Sequence, residues 1–145
     1  MATLPTAIEL QVVTPQRHVL QETVESVELP GKDGYLGVLP GHAPLLTELG
    51  VGVLSYLKQG QARYLTIAHG YSEVLPDRVI VLAEISERAE EIDVERTRAA
   101  RDRAQAAIAK APAGADQWKD ASFALERALV RLQAVSKIGG GDASH

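Results

Sequence analysis

Basic residues at helical spacing are the part of this sequence best suited to chemistry. Arg127 and Arg131 are four residues apart, so on a helix they project from one face. Guanidinium groups bind phosphate oxygens through paired hydrogen bonds, and together with Arg96 these two predict contacts to the phosphates of a nucleotide. In that interpretation Ile92 covers the adenine, and Asp93 bonds a polar group of the base or sugar.

A simpler role for the same arginines is also consistent with the sequence. Arg127 and Arg131 can neutralise the nearby carboxylates and complement the dipole at the C-terminal end of their helix. Those carboxylates, which repel phosphates unless they are paired, belong to Glu87, Glu90 and Glu91. The residue pattern alone leaves both a nucleotide site and a structural charge cluster open.

No arrangement typical of an enzyme active site accompanies these arginines. The 4 histidines lack the i, i+4 spacing of a metal-binding pair, and no Gly-x-Ser-x-Gly turn presents a serine nucleophile. The glycine clusters are not followed by Gly-Lys-Ser or Gly-Lys-Thr, so the sequence has no phosphate loop of the Walker type. We therefore expect no catalytic residue, no metal site and no required cofactor.

Composition narrows the class of protein further. The 145 residues carry a net charge of −4, which argues against nucleic-acid binding because no basic excess is present to replace phosphate counterions. A hydrophobic content of 46% is enough for a packed core, and the lack of cysteine excludes disulfides and thiolate chemistry. No secretory signal and no apolar run of roughly 18 residues is visible, so we expect membrane contact only through a partner.

The elements that must position the candidate residues change character along the chain. Six of the seven prolines lie before residue 80, where short apolar runs recur with alternation, as in Ile8, Leu10 and Val12. At least seven short strands at this spacing predict an all-β sandwich or barrel, and the period alone does not separate the two. The predicted strands are 8–12, 23–29, 35–39, 51–57, 62–68, 71–75 and 78–85.

Beyond about residue 86 the apolar period changes from 2 to 3.6. Asp93 is a suitable N-cap for a helix that ends just before Pro112, and a second helix runs from near Asp116 to about Ser136. The short connection between them predicts an antiparallel hairpin. The predicted contact residues are Thr97, Ala100, Ala104, Ala107, Ile108 and Ala111 in the first helix, and Trp118, Ala121, Leu125, Ala128, Leu132 and Val135 in the second.

One segment, Gly34 to Leu45, is more specific than its architecture. Its sequence, Gly-Tyr-Leu-Gly-Val-Leu-Pro-Gly-His-Ala-Pro-Leu, resembles the Gly-x-Leu-Gly-x-x-Pro-Gly-His-Ala-Pro-Leu signature of the epsilon subunits of bacterial F-type ATP synthases. Residues 12–15, 70–74 and 78–83 are similar to other sandwich segments of that family, and 92–96 is similar to its motif at the start of the hairpin. The resemblance runs in register from about residue 8 to residue 132.

The resemblance implies a fold and a division of the chain. The expected fold is an all-β sandwich N-terminal domain followed by an antiparallel α-helical hairpin. The sandwich is expected at residues 1–87 and the hairpin at 88–138. Residues 139–145, which begin with three glycines, are predicted to be a disordered tail.

The resemblance also implies a non-catalytic rotor subunit of proton-driven ATP synthesis, peripheral at the cytoplasmic face of the cell membrane. Its sandwich would bind the central gamma subunit and touch the membrane c-ring near Gly34, Tyr35, Leu36 and His42. Its hairpin would extend along gamma, reach the alpha and beta subunits and hinder ATP hydrolysis. Family members that bind ATP resemble this chain over residues 124–132, so the arginine cluster implies ATP as a regulatory ligand.

Two residues depart from the family pattern. Tyr35 stands where several members carry a carboxylate, and Thr97 replaces the alanine that usually closes the Ile-Asp-x-x-Arg-Ala motif. The alanine-rich first helix buries little apolar area, so we expect the hairpin to exchange between a docked and an extended form. The alternative from another class is a free-standing ligand-binding or adaptor sandwich with a helical appendage, which explains the composition but not the ordered family-like segments.

Overall fold

The computed structural model describes residues 4–140, and its chain divides into two compact units between Arg88 and Ala89. The first unit is a seven-stranded sheet in the order β2-β1-β7-β6-β5-β3-β4. Strands β1 and β7 are parallel, and all the other neighbouring pairs are antiparallel. The strands are β1 (Ile8–Val13), β2 (His18–Val24), β3 (Ser26–Gly31), β4 (Gly34–Val38), β5 (Leu45–Lys58), β6 (Gln61–Leu75) and β7 (Arg78–Arg88).

A break in the two longest strands turns this sheet into a sandwich. The β5–β6 ladder skips Gly50 and His69, and the β6–β7 ladder skips His69 as well. His69 has a positive φ of 62°, and Gly70 at φ 129° lies so close to the Leu82 carbonyl that a side chain there would collide with it. The strands bend at this bulge, and one hydrophobic core with members from all seven strands fills the space enclosed. The predicted sandwich is confirmed.

Two polar connections fix the edge strand β2 to the rest of the sandwich. Glu22 accepts hydrogen bonds from Lys58 Nζ at 2.7 Å and Tyr56 Oη at 2.9 Å, and the bond from Lys58 lowers the pKa of Glu22. Burial, followed by the bond to Glu22, raises the pKa of the Tyr56 hydroxyl. At the end of β7, the Arg88 guanidinium donates through Nε and Nη2 to the Val19 carbonyl at 3.1 and 2.9 Å.

The predicted strands differ from the observed ones in three places. Predicted strands 62–68 and 71–75 are a single strand, β6, because the His69–Gly70 bulge bends the chain without ending its pairing. Predicted strand 23–29 is divided at Glu25, and β2 already begins at His18. Predicted strand 51–57 is only the later part of β5, which already begins at Leu45, whereas predicted strand 35–39 is confirmed as β4.

The described part of the second unit consists of a 3₁₀ turn at Ala89–Glu91 and two helices, α1 (Val94–Lys110) and α2 (Asp116–Gly140), which pack as the predicted hairpin. Asp93 is the N-cap of α1, as predicted. Helix α2 continues past Ser136, because no proline follows and glycine weakens a helix without forbidding it. Gly139 and Gly140, predicted to begin a disordered tail, lie in α2, and the prediction stays open for residues 141–145, which lie outside the described part.

The buried faces of the helices agree with the prediction except in two respects. Ala107 is exposed, because the contact face of α1 is centred on Thr97 and Ala104 and leaves Ala107 at its margin. Val130 and Ala134 are buried although they lie on nearly the opposite side of α2 from the predicted seam. The prediction assumed one neighbour for α2, whereas α2 contacts both α1 and the 3₁₀ turn. The remaining predicted contact residues, Ala100, Ile108, Ala111, Trp118, Ala121, Leu125, Ala128, Leu132 and Val135, are buried or half-buried.

Candidate functional sites

Edge strand β4 carries three of the four residues predicted to contact a rotor. Gly34, Tyr35 and Leu36 pair with Gly31, Pro30 and Leu29 of β3, so the strand is held on one side only. The Tyr35 hydroxyl accepts a hydrogen bond from the backbone N–H of Val53 at 3.0 Å. That N–H lies where the β3–β5 register shifts, between the pairs made by Glu28 and Gly31, so Tyr35 replaces a missing ladder bond.

The Tyr35 side chain depends on a glycine two strands away. A Cβ added to Gly52 of β5 would lie 2.5 Å from the Tyr35 hydroxyl and 2.8 Å from the Pro30 side chain. The ring therefore crosses Pro30 and covers Gly52, as aromatic residues do over glycines in sheets. Because 53% of Tyr35 remains exposed, the ring presents a free face to solvent from a fixed position.

His42, the fourth predicted rotor residue, lies in a separate loop between β4 and β5. Its backbone N–H donates to the Leu39 carbonyl at 3.1 Å, and its Nδ1 lies 2.6 Å from the Ala43 carbonyl, which accepts. The preceding Gly41 N–H donates to Pro76 at the β6–β7 turn. These bonds indicate that His42 shapes its own loop. They link it to the β6–β7 turn, and no described hydrogen bond joins it to residues 34–36.

An exposed apolar row crosses the outer face of the sheet, and the sequence analysis missed it. Leu82 of β7 pairs with Tyr71 of β6, which pairs with Glu48 of β5, and Leu46 lies diagonally beside Tyr71 on the same face. Leu46, Tyr71 and Leu82 are 71%, 56% and 56% exposed. A groove of about 610 Å³ runs beside them, lined also by Val13.

A signal for this row was present in β7. Residues 79–83 are apolar without interruption, although a strand with one solvent-facing side should alternate. Val79, Val81 and Ala83 face the core, which leaves Leu82 apolar and outward. The rim is acidic, since Glu48 and Glu84 also line the groove.

The residues predicted to surround a nucleotide lie at the start of α1 and in the middle part of α2. Asp93 Oδ1 accepts the Arg96 N–H at 3.1 Å, so one carboxylate oxygen of Asp93 is already used in capping. Arg96 in the first turn of α1, and Arg131 in α2, lie at nearly equal distances along the chain from the connection between the helices. Arg127 is exposed, whereas Ile92 and Arg131 are half-buried. The nucleotide site at these five residues stays a prediction.

Thr97 does not obstruct the candidate nucleotide site at the start of α1. Its residue is 3% exposed, and its hydroxyl donates to the Asp93 carbonyl at 2.7 Å within the first turn of α1. The extra bulk relative to alanine is therefore taken up inside the helix, beside the cap.

A basic stripe, Arg96, Arg103 and Lys110, runs along the exposed side of α1. The three residues are spaced by seven, so they repeat about every 10.5 Å on one face. Within the described residues their side chains have no ion-pair partner, whereas Arg98 pairs with Glu95 and Arg101 with Asp102. The stripe is therefore available to an acidic surface.

No group of three or more His, Cys, Asp or Glu side chains in the described part of the chain is arranged to hold a metal ion. No described helix is long and apolar enough to cross a membrane.

Comparison with known proteins decides the family. The family model for the ATP synthase delta/epsilon chain β-sandwich domain matches residues 7–89, and the model for the long α-helix domain of the same chain matches residues 90–136. The chain belongs to the epsilon-chain family of F-type ATP synthases. The two family domains occur in the order of the two compact units, which the alternative of a free-standing adaptor sandwich does not explain.

Individual relatives cover nearly the whole of this epsilon-family chain. It is 46% identical over 134 residues to the ATP synthase epsilon chain of Solibacter usitatus, which covers 92% of this chain and 99% of the relative. The epsilon chain of Trichlorobacter lovleyi is 48% identical over 130 residues, with coverages of 90% and 94%. A chain in the structure of the Euglena gracilis mitochondrial ATP synthase, which comprises OSCP, F1 and the c-ring, superposes with a TM-score of 0.79 at 25% identity, covering 93% of this chain and 84% of that one.

Proposed function

We propose that this epsilon-family chain is a non-catalytic rotor subunit that links the gamma shaft of ATP synthase to the membrane c-ring and restrains ATP hydrolysis through its hairpin. The observation that carries the proposal is the exposed apolar row on a sandwich that the family places in ATP synthase. A row of exposed apolar side chains on a rigid sheet marks an interface. In this proposal the chain is peripheral at the cytoplasmic face of the membrane, and a proton gradient drives the complex.

The gamma subunit is the proposed partner of the apolar row. Leu46, Tyr71 and Leu82 supply the apolar centre, and Glu48 and Glu84 supply an acidic rim that favours a basic partner surface. The c-ring is the proposed partner of the β4 edge at residues 34–36 and of the loop at His42.

Pairwise binding to purified gamma subunit tests the first contact. Leu82→Asp should weaken binding at least tenfold, because a buried unpaired carboxylate costs more than the apolar contact it replaces. The matched control is Phe123→Asp, since Phe123 is also 56% exposed but lies on α2. Equal binding by both variants would rule out the row as the gamma contact.

The hairpin is proposed to act as the inhibitory element. The basic stripe of α1 would meet an acidic surface of the alpha and beta subunits when the hairpin extends, and opposite charge would hold it there. Reversing two charges with Arg103→Glu and Lys110→Glu should raise the ATP hydrolysis rate of the assembled enzyme. Arg98→Glu is the control, because Arg98 already pairs with Glu95 away from the stripe.

Truncation separates the two roles. A chain that stops after Arg88 keeps the first compact unit and lacks the hairpin unit. We expect it to assemble with gamma and the c-ring and to relieve inhibition of hydrolysis. Unchanged hydrolysis in a fully assembled complex would remove the inhibitory role and leave the coupling role.

We propose ATP as a regulatory ligand of the hairpin. In this proposal Arg96, Arg127 and Arg131 bind the phosphates. Ile92 covers the adenine, and Asp93 bonds a polar group of the base or sugar. ATP would favour the hairpin arrangement seen here in proportion to its preference for that state. Calorimetric titration of the purified chain with ATP tests this, and Arg127→Ala with Arg131→Ala should abolish the heat of binding. Arg98→Ala should bind as the unmodified chain does. Binding that survives the double substitution would place the ligand elsewhere.

A further inference from the structure

We propose that Tyr35 and Glu28 form a binding site for an arginine side chain carried by the ring partner. The inference rests on the proposed contact between the β4 edge and the c-ring, and it specifies the chemistry of that contact. It concerns the outer face of β3 and β4, which is separate from the apolar row.

The first component is the fixed ring of Tyr35. Its hydroxyl accepts a hydrogen bond from the Val53 N–H, and its inner side covers Gly52, so the ring is held against the sheet. The exposed outer side, in a residue 53% open to solvent, is a flat aromatic surface. Cations are attracted to such a face, and a ring that is already immobile loses no further entropy on binding.

The second component is the carboxylate of Glu28. Tyr35 pairs with Pro30 and Gly37 pairs with Glu28, so Glu28 and Tyr35 are diagonal neighbours on the same face of the sheet. No hydrogen bond or ion pair joins the exposed Glu28 to another described residue. Between the two lies Gly37, where an added Cβ would meet nothing within 4 Å. An open space therefore separates an aromatic face from a free carboxylate.

The shape of this space favours arginine over lysine. A guanidinium group is planar, so it stacks on a tyrosine ring while its N–H groups bond a carboxylate at the side. On the side of Glu28 and Gly37 lies a groove of about 460 Å³, which is also lined by Leu39, Ser55 and Ala62. This groove has room for the backbone that carries the arginine, and its lining is mostly apolar.

Binding of the unmodified and substituted chains to the purified c-ring, in detergent and without the other subunits, tests the inference. Tyr35→Leu should weaken binding about 3- to 30-fold because the aromatic face is lost. Tyr35→Phe should stay within about twofold, because it keeps the face and loses only the bond to Val53. Glu28→Gln should weaken binding about 2- to 5-fold and flatten its salt dependence.

The matched control is Glu25→Gln, which removes the same charge from a carboxylate that accepts the Gly60 N–H at 3.3 Å, a bond that the glutamine oxygen can still accept. Thermal unfolding of every variant identifies losses caused by misfolding of β4. The double variant with Glu28→Gln and Tyr35→Leu should weaken binding by a smaller factor than the product of the two single-variant factors, since one arginine uses both groups.

The outcomes separate the two proposals. If the unmodified chain does not bind the ring, the proposed ring contact is wrong. If it binds and Glu28→Gln behaves as Glu25→Gln does, or Tyr35→Phe weakens binding as much as Tyr35→Leu, the arginine site is wrong while the ring contact stands.

Discussion

The pairing of Tyr35 with Gly52 makes a strong prediction about stability. Gly52→Ala places a Cβ 2.5 Å from the Tyr35 hydroxyl and 2.8 Å from the Pro30 side chain, and both distances are too short for non-bonded atoms. Tyr35 must then leave its position, and the Val53 N–H loses the acceptor it holds at 3.0 Å.

The size of the effect follows from these contacts. Overpacking against Pro30 costs about 1–3 kcal/mol, and the lost hydrogen bond adds about 1 kcal/mol. The lower chain entropy of alanine in the unfolded state offsets about 0.5 kcal/mol. The free energy of unfolding of the sandwich should therefore fall by about 1.5–3.5 kcal/mol, which lowers the Tm by about 6 °C or more for a domain of this size.

Thermal and urea unfolding followed by circular dichroism measure this change. Gly37→Ala is the matched control, since its Cβ meets nothing within 4 Å and it should stay within about 0.5 kcal/mol of the unmodified chain. In a Tyr35→Ala background the cost of Gly52→Ala should fall by about 1 kcal/mol or more. If Gly52→Ala is no worse than Gly37→Ala, or if its cost is unchanged without Tyr35, the reasoning about this pair is refuted.

Three further predictions concern other parts of the chain. The hydrogen bond from Lys58 lowers the pKa of Glu22 in the folded state. The stability contributed by the Glu22 carboxylate is therefore present above its ordinary pKa of 4.5 and is lost as the pH falls through the folded value. When the free energy of unfolding is measured against pH, Glu22→Gln should reduce this loss of stability at acid pH. Asp93→Ala should destabilise the hairpin by about 1 kcal/mol in thermal unfolding, whereas Asp93→Asn should cost little because asparagine also caps helices. Gly70→Ala should prevent folding of the sandwich, seen as loss of soluble protein, because its side chain would collide with the Leu82 carbonyl.

The features that depend on local periodicity were predictable from the sequence. The change of apolar period near residue 86 marked the transition to helices. Asp93 was identified as an N-cap because its carboxylate accepts a hydrogen bond from an N–H only three residues away. Both signals involve groups close in the chain. Such local signals therefore do not depend on the tertiary contacts of the fold.

The features that depend on distant contacts were not predictable. Tyr35 and Val53 are 18 residues apart, and nothing near either residue signals their bond. The continuity of β6 through His69 required a non-glycine residue at positive φ, which propensity disfavours and sheet pairing on both sides enforces. The apolar row forms only because the registers of β5, β6 and β7 bring its residues side by side. The sequence alone therefore could not show that Leu46 and Tyr71 are neighbours.

The parallel pairing of β1 with β7 has a mechanical consequence. Tension applied between the start of β1 and Arg88 pulls two parallel strands in opposite directions, so it loads the rungs from Glu9–Arg78 to Val13–Leu82 together rather than one after another. Arg88, where the force would be applied, also donates two hydrogen bonds to the Val19 carbonyl of β2. A force applied to the chain beyond Arg88 would therefore be opposed by the whole β1–β7 ladder at once.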